Sequence, residues 1–204
     1  MKYETYKKKY LAGTNKCSNE MPDLSKLKTL IIDHQNPEVI KEWGEIGDWN
    51  ISKIISLEKA FECLGVGITI TCVLNWCRLF NTDISNWDVS NVENSDSVFE
   101  DCWEFNKPLN YWDVSKGRTF NKTLYNCKNF NQPLDKLDVS TSVNMALMFY
   151  NCNKFNQSLN YWDVGKDASS VRGFGQMFEN CKKFSRWIVI FIRMYVIHLQ
   201  IINV

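Results

Sequence analysis

Two sets of side chains in this sequence have the types and the spacing to do chemistry: eight cysteines, and aspartates that recur at a fixed interval. Cysteine thiolates bind zinc or pair as disulfides. Carboxylates bind calcium or serve as acid and base. Imidazole is scarce, with only His34 and His198, so a zinc or catalytic centre built on histidine has little material. No Gly-rich phosphate loop, His-Glu-x-x-His helix or Gly-x-Ser-x-Gly elbow occurs. The expectation is a protein that is not an enzyme and uses no cofactor and no metal.

The spacing of these residues is a repeat. Trp87, Trp112, Leu137 and Trp162 follow one another at steps of 25 residues, and so do Asp88, Asp113, Asp138 and Asp163. The step is shared by Val89, Val114, Val139 and Val164, by Phe105, Phe130 and Phe155, by Leu109, Leu134 and Leu159, and by Cys102, Cys127 and Cys152. Upstream, Trp49 opens a matching unit, and residues 64–79 form an apolar insertion. Downstream, Cys152 to Cys181 is 29 residues, and after Phe184 the pattern decays. Periods of this length mark stacked arrays in which one unit cannot bury its own face.

The elements that must position these columns follow from one unit. Leu109-x-x-Trp112-x-Val114 reads as the strand of a leucine-rich repeat, with apolar slots inward and the intervening residues outward. Ser90 or Ser140 suits a helix N-cap, ahead of a helical turn through Val143, Leu147, Met148 and Phe149. The fold class expected is α/β: a right-handed leucine-rich-repeat-like solenoid of about 25-residue units with an N-terminal helical cap. The divisions are a flexible basic N-terminus (1–22), a helical cap (23–47), the repeat solenoid (48–187, insertion 64–79) and an apolar C-terminal cap (188–204). Within the N-terminal cap, helices are predicted over 24–32 and 37–43, the second starting from Asn36-Pro37 and ending at Gly44 and Gly47.

Composition bounds the function. A net charge of +1 argues against nucleic acid as the main partner. Charged residues at 23% and eight Trp argue against a disordered chain. No secretory signal is expected: the Lys-rich start has no apolar run, and Thr14 stands where Leu11-Ala12-Gly13 would need a lipidated Cys. Localisation is open between cytoplasm and virion. The apolar stretch 187–204 carries Arg193, which weighs against a membrane span; membrane contact there is the minor expectation.

Each column then has a structural reading beside a functional one. Cys102, Cys127, Cys152 and Cys181 form a row rather than a tetrahedron, so small buried reduced thiols are expected. Cys72 and Cys77 stand apart as a pair that a disulfide could join. Asp88, Asp113, Asp138 and Asp163 are expected to accept local backbone N–H groups; a calcium row or an acidic stripe are the alternatives. Trp87, Trp112 and Trp162 are expected in the core. The outward face offers Asn110, Tyr111, Asn160 and Tyr161. Its two tyrosines occupy one slot two repeats apart, about 10 Å at ladder spacing, and tyrosine is favoured at binding hot spots.

The text of the repeat resembles a known family. Asn86-Trp87-Asp88-Val89-Ser90-Asn91-Val92, Met148-Phe149-Tyr150-Asn151-Cys152 and Phe155-Asn156-Gln157-Ser158-Leu159-Asn160 are similar to the BspA-like leucine-rich-repeat surface proteins of mycoplasmas, other bacteria, protists and large DNA viruses of amoebae. The resemblance spans roughly residues 47–187. It departs from the pattern at Glu93-Asn94-Ser95, at Lys116-Gly117-Arg118-Thr119-Phe120 and at Leu137. It implies a non-catalytic protein–protein interaction or adhesion module whose partner is a protein or cell-surface macromolecule. A structural, self-associating or membrane-tethered coat component is the alternative.

Overall fold

A computed structural model describes residues 20–61, 76–162 and 174–184 of the chain. Most of the expected N-terminal stretch, most of the 64–79 insertion and the 188–204 segment lie outside the described residues, as do Cys72 and Asp163.

Two helices come first along the described chain. Helix α1, Leu24–Ile32, starts where the Asp23 carboxylate accepts the Lys26 N–H at 2.8 Å, and it buries Leu27, Leu30 and Ile31 on one side. Helix α2, Pro37–Trp43, starts on Asn36, whose side chain accepts the Glu38 N–H, with proline at its first position. It ends at Gly44, where a φ of 73° suits glycine and the Gly44 N–H returns to the Ile40 carbonyl. A 3₁₀ turn, Ile46–Asp48, leads to Trp49. A third helix, α3, is the single turn Trp76–Leu79.

The repeats stack with their 25-residue step intact. Isolated parallel bridges join Ser56 to Asn94, Asn94 to Thr119 and Thr119 to Asn144. Along this side, alternate N–H groups of one repeat donate to carbonyls of the next: Ser95 to Thr119, Ser97 to Asn121, Phe99 to Thr123 and Asp101 to Tyr125, all at 2.8–2.9 Å. The intervening groups bond within their own repeat, as Glu100 does to Ser97 and Cys102 to Phe99. The pattern recurs between the next repeats, from Phe120 to Asn144 and from Asn126 to Tyr150.

The expected α/β leucine-rich-repeat-like solenoid is overturned. Among the described residues there is no extended strand, only these single bridges, and the helices are three short ones. The Leu109-x-x-Trp112 segment is a turn: the Trp112 N–H closes onto the Leu109 carbonyl at 3.0 Å, and Trp87, Leu137 and Trp162 close the same way onto Ile84, Leu134 and Leu159. A chain that turns tightly brings residues three apart to the same side, so both stay buried without a strand. The helical turn expected through Val143 and Leu147 is also absent. Leu147 has a φ of 58°, as Ser97 and Lys122 have 55° in the same slot, and right-handed helix cannot pass through it.

Inside, one core runs from Met21 to Phe184. Its spine is aromatic. Phe80, Phe105, Phe130, Phe155 and Phe184 stack with centroid steps of 5.9, 6.0, 6.1 and 5.5 Å. Beside it Phe99 meets Phe105 at 4.2 Å, and Phe149 meets Phe155 at 4.4 Å. Trp87 and Trp112 are buried as expected, and Trp162 is packed against the core from its edge. Each indole N–H finds a carbonyl of an earlier segment: Trp87 on Ile46, Trp112 on Ile84 and Trp162 on Leu134.

Candidate functional site

The outward turn between Leu109 and Trp112 places Tyr111 at the surface, 48% exposed, while Tyr161 in the same slot is 80% exposed. The Lys136 ammonium, from the following repeat, lies 4.8 Å from the Tyr111 ring centroid. Asn110 is a brace. Its amide donates to Asp135 at 3.0 Å, and its oxygen accepts the Lys136 N–H at 2.9 Å. The structure thus gathers Asn110, Tyr111, Asp135 and Lys136 into one polar–aromatic patch. Asn160 bonds through its N–H to the Ser158 hydroxyl and leaves its amide at the surface beside Tyr161.

The aspartates hold turns. Asp88, Asp113 and Asp138 each accept two hydrogen bonds from the serine two residues on: backbone N–H at 3.1–3.2 Å and hydroxyl at 2.6–2.7 Å. Asn50 does the same for Ser52, so the slot needs an oxygen and not a charge. The Ser140 hydroxyl, then its N–H, holds the Asp138 carboxyl below the usual carboxylate range against a small opposing effect of burial. Asp163 lies outside the described residues. No three metal-ligating side chains converge among the described residues.

The cysteines form a ladder of donors. The Cys127, Cys152 and Cys181 thiols point at the Phe99, Leu124 and Phe149 carbonyls at 3.1, 3.0 and 2.8 Å, with Cys102 more distant, 4.0 Å from Phe61. All four are free thiols. Burial pushes Cys102, Cys127 and Cys152 well up, and Cys181 up to about 12, so thiolate chemistry is suppressed. Cys77 differs: it is fully buried and disulfide-bonded. It stands 25 residues before Cys102, as Phe80 stands before Phe105 and Ile84 before Leu109. That arithmetic places it in the column, and it is the signal that reading Cys77 as an outsider overlooks.

A second column, of asparagines, follows the same 25-residue step. Asn106, Asn131 and Asn156 each donate a backbone N–H to the side-chain oxygen of the asparagine 25 residues earlier, all at 2.9 Å. On the bridged side, Tyr125 and Tyr150 stack at 4.8 Å with planes 6° apart. Lys122 sits over Tyr125 at 5.1 Å and pairs with Glu100 at 3.2 Å. Desolvation and then the neighbouring Tyr150 raise the Tyr125 phenol, with Lys122 acting the other way.

A family model described as mycoplasma protein of unknown function, DUF285, matches residues 69–191, more than half of the chain. No curated protein and no solved structure matches.

Proposed function

The chain belongs to the DUF285 family of mycoplasma proteins of unknown function, and from that membership we propose that it is a non-catalytic interaction module of the BspA-like surface type. Its partner is a protein or another cell-surface macromolecule, met through the outward turns that carry Tyr111 and Tyr161. One observation carries the proposal: two tyrosines of one repeat slot stand 48% and 80% exposed on turns closed by backbone hydrogen bonds. An aromatic ring fixed on a rigid turn offers area at little entropic cost on binding. The Asn110 brace and the Lys136 ammonium over Tyr111 hold that side of the patch in place before any partner arrives. Asp88, Asp113 and Asp138 border it as turn supports.

The test is the double substitution Tyr111→Ala/Tyr161→Ala, measured against a partner recovered by cross-linking in the native cell. Binding is expected to be abolished. Stability is expected to fall by less than about 1 kcal/mol, since both rings are exposed on turns closed by backbone hydrogen bonds and the Lys136 cation–π contact lies at the surface. Undiminished binding overturns the assignment.

A further inference from the structure

The two residues after each cysteine of the ladder form one corner of the stack: Arg78-Leu79, Trp103-Glu104, Lys128-Asn129, Asn153-Lys154 and Lys182-Lys183. Arg78, Lys128, Lys154, Lys182 and Lys183 therefore share a line in which Glu104 is the one carboxylate. Lys128 is half-buried, and the other four cations are exposed. Because the whole chain carries only +1, this line is segregated charge and not a general excess.

The line is held by the backbone. The N–H groups of Glu104, Asn129 and Lys154 donate to the carbonyls of Arg78, Trp103 and Lys128 at 2.9, 3.0 and 3.2 Å. Beneath it runs the phenylalanine spine, with its 5.5–6.1 Å steps. Two of the cation heads are held as well. The Arg78 guanidinium lies 4.3 Å from the Trp103 ring centroid and the Lys128 ammonium 3.3 Å, one from the repeat before and one from the repeat after. An aromatic face orients a cation without neutralising it. The Glu104 carboxylate accepts the Asn129 amide. Among the described residues, none of the five corner cations forms an ion pair.

We propose that this corner docks an extended acidic segment of a partner protein, one with carboxylates at alternate positions. In an extended peptide, alternate side chains face the same way and advance roughly 6.4–6.8 Å. The ring steps in the spine beneath the line are 5.5–6.1 Å, and the flexible Arg and Lys stems take up the difference. A single line of charge suits a linear ligand better than a lipid plane. With cations over its ring, Trp103 offers no platform for stacking bases, which sets single-stranded nucleic acid aside. Leu79, 68% exposed in the same corner, adds an apolar contact. The site is separate from the Tyr111 and Tyr161 surface, so either assignment can fail alone.

The experiment is a fluorescence-anisotropy titration of the full chain with a labelled peptide of alternating Glu and Ser. A peptide of the same composition with its Glu residues in one block is the comparison. The alternating peptide is expected to bind about tenfold tighter than the blocked one and to weaken between roughly 0.05 and 0.3 M salt. Arg78→Glu/Lys128→Glu is expected to weaken it by about tenfold, whereas Tyr111→Ala/Tyr161→Ala leaves it unchanged. Should the first variant melt early, Lys154→Glu/Lys182→Glu, on exposed side chains, reads the same loss. Equal affinity for the two peptides overturns the proposal, as does indifference to both charge reversals. Tighter binding of a sulfated oligosaccharide or single-stranded DNA of equal charge overturns it too.

Discussion

Asp101, Asn126, Asn151 and Asn180 share a slot in which φ is 58–65°. Asparagine and aspartate are the non-glycine residues that tolerate this left-handed conformation best. Here they also bond to one another, Asn126 to Asp101 and Asn151 to Asn126, both at 2.7 Å. Asn126→Ala removes two of these bonds and adds a backbone penalty, so a loss of about 2–3 kcal/mol is expected in urea denaturation. Asn126→Gly recovers the backbone part and is expected to cost about 1 kcal/mol less than alanine; equal losses would show that strain plays no part. Asp138 gives a pH prediction. Its folded carboxyl titrates below the ordinary value because Ser140 donates to it, so it contributes stability above the unfolded value, and that contribution disappears as pH falls through the folded value. Ser140→Ala should return the carboxyl toward its ordinary range in an NMR titration and flatten the acid limb of the stability curve. At this scale the local role of the aspartates could be read from the sequence, because an oxygen two residues before a serine has an obvious local partner. The left-handed slot filled by Ser97, Lys122 and Leu147 could not. None of those residues favours it, and the inter-repeat hydrogen bonds impose it.

One repeat is a closed turn, a bridged edge and a stack of rings, and each part is specified by columns rather than by local propensity. That explains why the Leu-x-x-Trp segment misleads. Two buried residues three apart fit a strand read against a known family, and they fit a tight turn equally well. The choice rests on an N–H···O=C bond that side-chain types do not encode. The same column logic accounts for an apparent defect. Phe61 faces Trp87, Phe99 faces Trp112 and Phe149 faces Trp162, at 5.8–6.1 Å. In the repeat between the last two, the corresponding pair is Leu124 with Leu137, both buried. Both slots of the pair hold leucine in that repeat. Leu124→Phe or Leu137→Trp alone should be neutral or destabilising through misfit. The double variant should be more stable than the sum of the singles by about 1 kcal/mol. Additive values in that double-mutant cycle would mean that the two slots do not communicate. The cysteine column belongs to this scale as well: alkylation of Cys102, Cys127 and Cys152 should track global unfolding, since burial keeps them protonated and enclosed.

For the whole molecule, the period that is plain in the sequence is also the unit of stability. Bridges, thiol bonds, asparagine bonds and ring stacks all connect a repeat to its immediate neighbours, while helices α1 and α2 add Leu27, Leu30, Ile31 and Trp43 at one end of the same core. Stability in such an array is close to a sum of unit and interface terms. Register is therefore the quantity that must be conserved, more than length. Deleting residues 113–137 joins Trp112 to Asp138 and preserves every column, since Asp138 takes the place of Asp113 and Cys152 that of Cys127. That variant is expected to unfold cooperatively at a lower denaturant midpoint, with an m-value reduced by about an eighth, in line with the surface removed. Deleting residues 113–124 removes half as much chain but sets Tyr125 after Trp112. It puts a ring column opposite a polar column, and it is expected to lose cooperative unfolding altogether. If the shorter deletion proves the better tolerated, stacking in register is not what holds this chain together.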